Sequence, residues 1–257
     1  MGLYARKILL RNCGRFTHIS SDFGSQYHTH TFVTSEALYA SLTRGVTWRH
    51  PGRFIDLEED AQKAGRTDYF LCDYDVLAKL LWFTPGIFVD GSGQPLVKQR
   101  GVTDKNDFNV VDEGEPGTGG NNRPHYVPTY GWIEGILPDH RLVVYALSPR
   151  REELEWFKMD QIFLLGKKRT MFQIVSLSDL VEGIAGEGQC TTGYLQLSPN
   201  SSTRFRSFEV LAATMRYVIL RGTTREKVGY LEFPLPDGEL CLPDFYLEQT
   251  PVESGSG

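Results

Sequence analysis

No stretch of this 257-residue chain approaches the roughly 18 consecutive apolar residues that a membrane span needs. The opening Met-Gly-Leu-Tyr-Ala-Arg lacks the apolar run of a secretory signal, and Arg6 stands where a myristoylation signal wants Ser or Thr. Only four cysteines occur, Cys13, Cys72, Cys190 and Cys241, each alone. Without a C-x-x-C pair or clustered His, zinc and redox motifs are absent, and buried thiols in a reducing cytoplasm are expected. Missing too are G-x-S-x-G, H-E-x-x-H, Walker and paired-carboxylate patterns, so no familiar active site is written in the chain. Neither a metal nor an organic cofactor is expected.

A uniform basic charge is also lacking, since the formal net charge is -5. The average conceals blocks. Residues 1–53 carry +5, 54–160 carry -8, 161–228 carry +4 and 229–257 carry -6. Two basic segments that met in space would form a positive face within an acidic protein. Hydrophobic residues make up 40% and charged residues 23%, an ordinary globular composition that excludes disorder and a disulfide-stapled miniature fold.

The chain reads as strands with few helices. Leu3 to Asn12 suits a first strand, with Arg6, Lys7 and Arg11 on one face or at an edge. Thr34 or Ser35 can cap a helix through Glu36, Leu38 and Leu42 that Gly45 is placed to end. Asp56 with Glu59 resembles a capping box, and Val76, Leu77, Leu80 and Leu81 recur at helical spacing. Gly91-Ser92-Gly93 and Asp112 to Pro124 read as mobile loops, and His140 to Ser148 as a buried strand ended by Pro149. Arg150 to Lys158 suits a short charged helix. Ile162 to Leu165 and Met171 to Val175 form a hairpin, and further strands are expected at 194–197, 205–211, 215–220 and 228–233. Many strands with two or three helices give an α+β fold.

Three segments could carry chemistry. Lys167, Lys168 and Arg169 follow Gly166 at the hairpin tip. Three adjacent cations repel one another, and a polyanion alongside relieves that repulsion and releases counterions; the alternative is a solvated turn. In Tyr27-His28-Thr29-His30, extended alternation puts both imidazoles on one face, but no nearby carboxylate or thiol pattern supplies a third metal ligand. These residues suit stacking on bases, proton transfer in metal-free RNA cleavage, or plain packing. Tyr126 to Trp132 reads as an aromatic-rich loop whose rings stack on bases or fill a core.

The order of these pieces resembles a known family. Phe23-Gly24-Ser25-Gln26-Tyr27-His28-Thr29-His30 with the Glu36 to Ala40 helix, Tyr126 to Gly131, Ile136-Leu137-Pro138, Val143 to Ser148 and Phe163-Leu164-Leu165-Gly166-Lys167 are together similar to the Cas-five-type (Csc-one) subunit of the subtype I-D CRISPR Cascade. Trp132 and the Gly-rich stretch around Gly117 depart from it. The resemblance implies a ferredoxin-like, RRM-related antiparallel sheet of the RAMP superfamily with projecting strands and long loops. The matched pieces span roughly Leu3 to Val175; a single domain is expected over 1–253, with a loop-rich insertion at about 86–125, and the closing Ser-Gly-Ser-Gly of 254–257 reads as a linker scar. The resemblance further implies a cytoplasmic, non-catalytic subunit that caps the 5′ handle of crRNA. Its partners would be the Cas-seven-type backbone subunit, the Cas-ten-like large subunit and the target DNA duplex, with no membrane. The expected RNA contacts are Lys167, Tyr27, His28 and His30, joined on charge by Lys168, Arg169, Arg11 and Arg15. The competing expectation is a metal-independent endoribonuclease of CRISPR repeat RNA with His28 or His30 as general base.

Overall fold

The computed structural model describes residues 2–22, 26–49, 78–96, 103–111, 128–166, 170–235 and 238–252. In chain order the strands are β1 (Tyr4–Asn12), β2 (Ile19–Asp22), β3 (Gln26–Thr29), β4 (Phe32–Val33), β5 (Trp82–Phe83), β6 (Gly86–Val89), β7 (Thr103–Val111), β8 (Pro128–Ile136) and β9 (Arg141–Ser148). They continue as β10 (Ile162–Leu165), β11 (Thr170–Leu177), β12 (Val181–Glu182), β13 (Ile184–Gly188), β14 (Leu195–Leu197), β15 (Phe205–Ala213), β16 (Val218–Thr224), β17 (Val228–Leu235) and β18 (Gly238–Pro243). Helices α1 (Ser35–Arg49), α2 (Arg151–Leu154) and α3 (Asp244–Leu247) accompany them. Strands dominate and pair mostly antiparallel, an α+β arrangement.

The central sheet runs β10-β11-β1-β9-β6-β4, with β12 also pairing β1 and β5 also pairing β9. Its neighbours are all antiparallel. Period-two alternation sends Ile8 and Leu10 of β1, Leu142, Val144 and Ala146 of β9, Phe163 and Leu165 of β10, and Phe172 and Ile174 of β11 to one face. There they meet Leu38, Tyr39 and Leu42 of α1 and the Leu154, Trp156 and Phe157 segment. Phe16 joins this core edge-on to Phe172, with ring centroids 5.3 Å apart. The opposite face carries Lys7, Leu9, Arg11, Arg141, Val143 and Tyr145, together with Ile162, Leu164 and Met171, which are about half exposed.

Three smaller sheets complete the described fold, β2-β3-β8-β7, β13-β17-β18 and β14-β16-β15. The last two share a second core, in which Leu195, Phe205, Leu220, Phe233 and Leu242 pack with Phe245 and Tyr246 of α3. Leu3, Ala5 and Leu147 extend it to the end of β1 and β9.

Several expectations are revised. β1 is an interior strand with β9 on one side and β11 on the other, not an edge. Arg6 is spent on structure, donating to the carbonyls of Ser178, Leu154 and Phe157. Thr34 does cap α1, its Oγ1 accepting from the Ala37 amide at 3.4 Å, but the helix passes through Gly45 to Arg49. A mid-helix glycine costs about 1 kcal/mol against alanine, which burial of Leu38, Tyr39 and Leu42 offsets. The expected helix of residues 150–158 shrinks to the single turn of α2. Residues 128–132 of the expected aromatic loop belong to β8, where Pro128 takes the first strand position that tolerates a missing amide proton. Gly91 to Gly93 form a turn fastened by Asp90, whose Oδ1 accepts from the Ser92 amide, the Ser92 hydroxyl and the Gln94 amide. Cys190 and Cys241 are buried, as expected, but Cys13 is exposed. The Asp56–Glu59 motif, Cys72 and the 112–124 run lie outside the described residues, as do Val76 and Leu77 of the second expected helix, of which Ala78 to Leu80 are helical.

Candidate nucleic-acid interface

β1 ends where the β10–β11 hairpin turns. Arg11 pairs in register with Gln173, and Asn12 with Phe172. The contacts continue past the strand: the Cys13 amide donates to the Met171 carbonyl at 2.8 Å, and the Thr170 hydroxyl donates to the Arg15 carbonyl at 2.8 Å. On the other flank of the turn Gly166 has φ +78°, and a Cβ there would lie 2.8 Å from the Phe16 ring and 2.9 Å from the Thr17 carbonyl oxygen. Both flanks, Gly166 and Thr170, are thus seated on residues 15–17. Lys167, Lys168 and Arg169 themselves lie outside the described residues.

Arg11 and Arg15 stand at this end of the sheet. The Arg11 guanidinium donates to Gln173 Oε1 at 2.6 Å and lies 3.8 Å from the Asp139 carboxylate, with 44% of its side chain exposed. Arg15 lays its stem over Gly135, where a Cβ would meet Arg15 Cγ and Cδ at 2.8 Å. Close approach to glycine lets the Arg15 stem pack on β8.

The Tyr27 to His30 segment behaves differently from its expected common face. β3 pairs in parallel with β8, setting Tyr27 opposite Ile133 and His28 opposite Glu134. His28 Nδ1 is 2.6 Å from Glu134 Oε2. A carboxylate therefore does stand beside His28, supplied from far along the chain. His30 follows β3 and stacks on Phe32, with ring centroids 4.8 Å apart and planes at 15°. The two imidazoles have different partners, and among the described residues no cluster of three His, Cys, Asp or Glu suits a metal ion. The Tyr27 side chain lies outside the described atoms.

A further site had no local sequence signal. Glu209 on β15 accepts from the Tyr194 hydroxyl at 2.8 Å and from Arg221 Nε at 2.8 Å. The Arg221 guanidinium also lies 5.0 Å from the centre of the Tyr194 ring. Burial, then the bond to Glu209, pushes the Tyr194 hydroxyl up to about 12, while Tyr194 and Arg221 hold the Glu209 carboxyl below its ordinary range. This cluster borders a cleft of about 570 Å³ against the outward face of the central sheet, lined by Lys7, Leu9, Arg141, Val143 and Tyr145 and by the Asp90–Gln94 turn. A second cavity of about 530 Å³, bordered by His30, Phe32, Glu209 and Arg221, adjoins the same cluster. Only period-two reading of β1 against β9 could have found the cleft, because Lys7 pairs with Tyr145 and Arg11 with Arg141 across 130 or so residues of chain.

No helix among the described residues is long and apolar enough to cross a membrane. No family model matches the chain, and no curated protein matches it. Among solved structures, the crystal structure of a CRISPR protein from Archaeoglobus fulgidus is similar to it over 93% of this chain and 99% of that one, with 8% identity and a TM-score of 0.41.

Proposed function

We propose that this protein is a non-catalytic, crRNA-binding subunit of a type I-D Cascade effector in antiviral defence. It holds the 5′ handle of the guide and adjoins the Cas-seven-type backbone and Cas-ten-like large subunits. The observation that carries this reading is the seating of Gly166 and Thr170 on residues 15–17. It joins the basic segment 1–53 to the basic segment 161–228 at one end of one sheet, the meeting that a positive face in a net acidic protein requires. The strand order gives support of a second kind. Taken in chain order as first, second, third and fourth, β1, β6, β9 and β11 lie in the order fourth, first, third, second, all antiparallel, with α1 between the first two. This order is compatible with a ferredoxin-like sheet in which α2 takes the place of a second helix, and it supports the reading in that respect. In this reading pairing with the guide selects the target, and the protein grips backbone and shape.

The test is charge reversal of Lys167, Lys168 and Arg169 to Glu. Affinity for repeat-derived RNA falls, and its logarithmic salt dependence flattens by about 0.7 for each single-strand phosphate that the variant no longer neutralises. Unchanged affinity and slope would overturn the reading.

The His28–Glu134 contact favours a second reading, a metal-independent endoribonuclease. A carboxylate hydrogen-bonded to one ring nitrogen holds the imidazole in a set orientation, as a general base requires. Incubation with repeat RNA in EDTA separates the two. Cleavage that disappears in His28→Ala establishes the enzyme, and stable binding of intact RNA removes it.

A further inference from the structure

We propose that Cys190 and Cys241 are a reversible redox pair, closed to a disulfide by a hydroperoxide and reopened by a dithiol. The inference goes beyond the RNA-binding reading and does not depend on it.

The two cysteines belong to different sheets. The Cys190 backbone is clamped to β16: its amide donates to Thr224 Oγ1 at 3.1 Å, and its carbonyl accepts from the Thr224 amide at 3.0 Å. Cys241 lies on β18, opposite Glu232 of β17. Far apart in the chain, the two thiols are hydrogen-bonded to each other. Both are buried, at 3% and 6% exposed, yet neither belongs to the second core. Strand alternation sends Leu240 and Leu242 into that core and turns Cys241 to the opposite face, on the side of Glu232. A cysteine that only fills apolar space accounts for neither the thiol partner nor the carboxylate neighbour. Exposed Cys13, by contrast, meets the Arg11 carbonyl at 3.8 Å rather than a thiol.

The pair is unequal. The bond from Cys241 lowers the pKa of the Cys190 thiol against the opposing effects of burial and the Glu232 charge, so Cys190 supplies the thiolate. Its sulfur attacks one peroxide oxygen; the S–O bond forms, the O–O bond breaks, and the departing hydroxide takes up the Cys190 proton as water. The Cys241 sulfur then attacks the sulfenic sulfur of Cys190; the S–S bond forms, the S–O bond breaks, and the hydroxyl leaves with the Cys241 proton as a second water. The thiols lose two electrons and the peroxide gains them. The new bond fastens β18 to the segment held on β16, tying together the two sheets that share the second core. Such a link stabilises a fold chiefly by restricting the unfolded chain, and in a reducing cytoplasm it is transient.

The experiment treats the full reduced chain with hydrogen peroxide, unfolds it in an alkylating reagent and maps its peptides by mass spectrometry. A linked peptide pair containing Cys190 and Cys241 forms, and dithiothreitol removes it. The thermal midpoint rises by roughly 5–10 °C in the oxidised chain and returns on reduction. Dimedone, which captures sulfenic acids, labels Cys190 in Cys241→Ser and leaves Cys241 largely unlabelled in Cys190→Ser. The wild-type map needs neither variant, so a variant that fails to fold leaves the test intact. Recovery of both thiols as alkylated, oxidation to sulfinic acid without a link, or a link from either to Cys13 or Cys72 overturns the pair. Dimedone on Cys241 in preference to Cys190 overturns the order of attack.

Discussion

His28 and Glu134 face each other across the parallel pairing of β3 and β8, with Nδ1 2.6 Å from Oε2. The Glu134 side chain is only 10% exposed and the His28 side chain 34%. A carboxylate so far from water depends on its donors, and a hydrogen bond to a charged group contributes about 1.5–3 kcal/mol. Glu134→Gln retains an acceptor, so urea denaturation should register a smaller loss for it than for His28→Ala, which strips a donor from a nearly buried carboxylate. Equal losses would mean that the bond contributes little.

Gly166 sits at the hairpin turn on which the proposed RNA-binding reading depends. An alanine there meets the left-handed backbone penalty of about 1–2 kcal/mol and a clash with Phe16 and Thr17. Gly166→Ala should lower the thermal midpoint and, by shifting the turn off residues 15–17, weaken RNA binding more than a surface substitution of equal stability cost. A variant with wild-type melting and wild-type affinity would contradict this.

His18 gives a pH dependence with a definite sign. It is half-buried and stacked with Phe16, and burial lowers its pKa from the ordinary value near 6.5. The unfolded chain therefore binds a proton more tightly than the folded one. The stability linked to neutral His18 is complete above the unfolded pKa and lost as pH falls from about 6.5 through the lower folded value. Melting between pH 7.5 and 5.5 should show a decline that is shallower in His18→Asn.

Tyr246 presents the opposite case. Its hydroxyl is buried without a hydrogen-bond partner among the described residues, and burial drives its pKa far upward. An unsatisfied buried polar group costs about 1–3 kcal/mol. Tyr246→Phe keeps the packing of α3 in the second core and should leave stability unchanged or raise it, measured by the urea midpoint. A loss above about 1 kcal/mol would reveal a partner for the hydroxyl.

Patterns confined to one strand or hairpin were legible in the sequence. Loose alternation marked β1, the apolar run before Pro149 marked β9, and the apolar runs around Gly166 marked β10 and β11. Signals that depend on distant partners were not. Glu134 meets His28 only because β8 pairs in parallel with β3, and nothing near either residue encodes that choice. The cleft likewise assembles from β1, β6, β9 and the Tyr194 and Arg221 cluster, none of which is distinctive alone. Gly45 read as a stop because local propensity favours one, whereas buried Leu38, Tyr39 and Leu42 carry the helix onward.

The interior position of β1 also constrains how the protein is made. Synthesis delivers β1 first, yet both strands that flank it, β9 (Arg141–Ser148) and β11 (Thr170–Leu177), emerge much later. Until then its apolar residues Ile8 and Leu10 and its backbone groups have no lasting partner on either side. Closing such long loops slows folding, so a ribosome-bound chain halted before residue 170 should be sensitive to protease and engaged by chaperones. Release from both would coincide with the emergence of β11, the strand that also brings the two basic segments together.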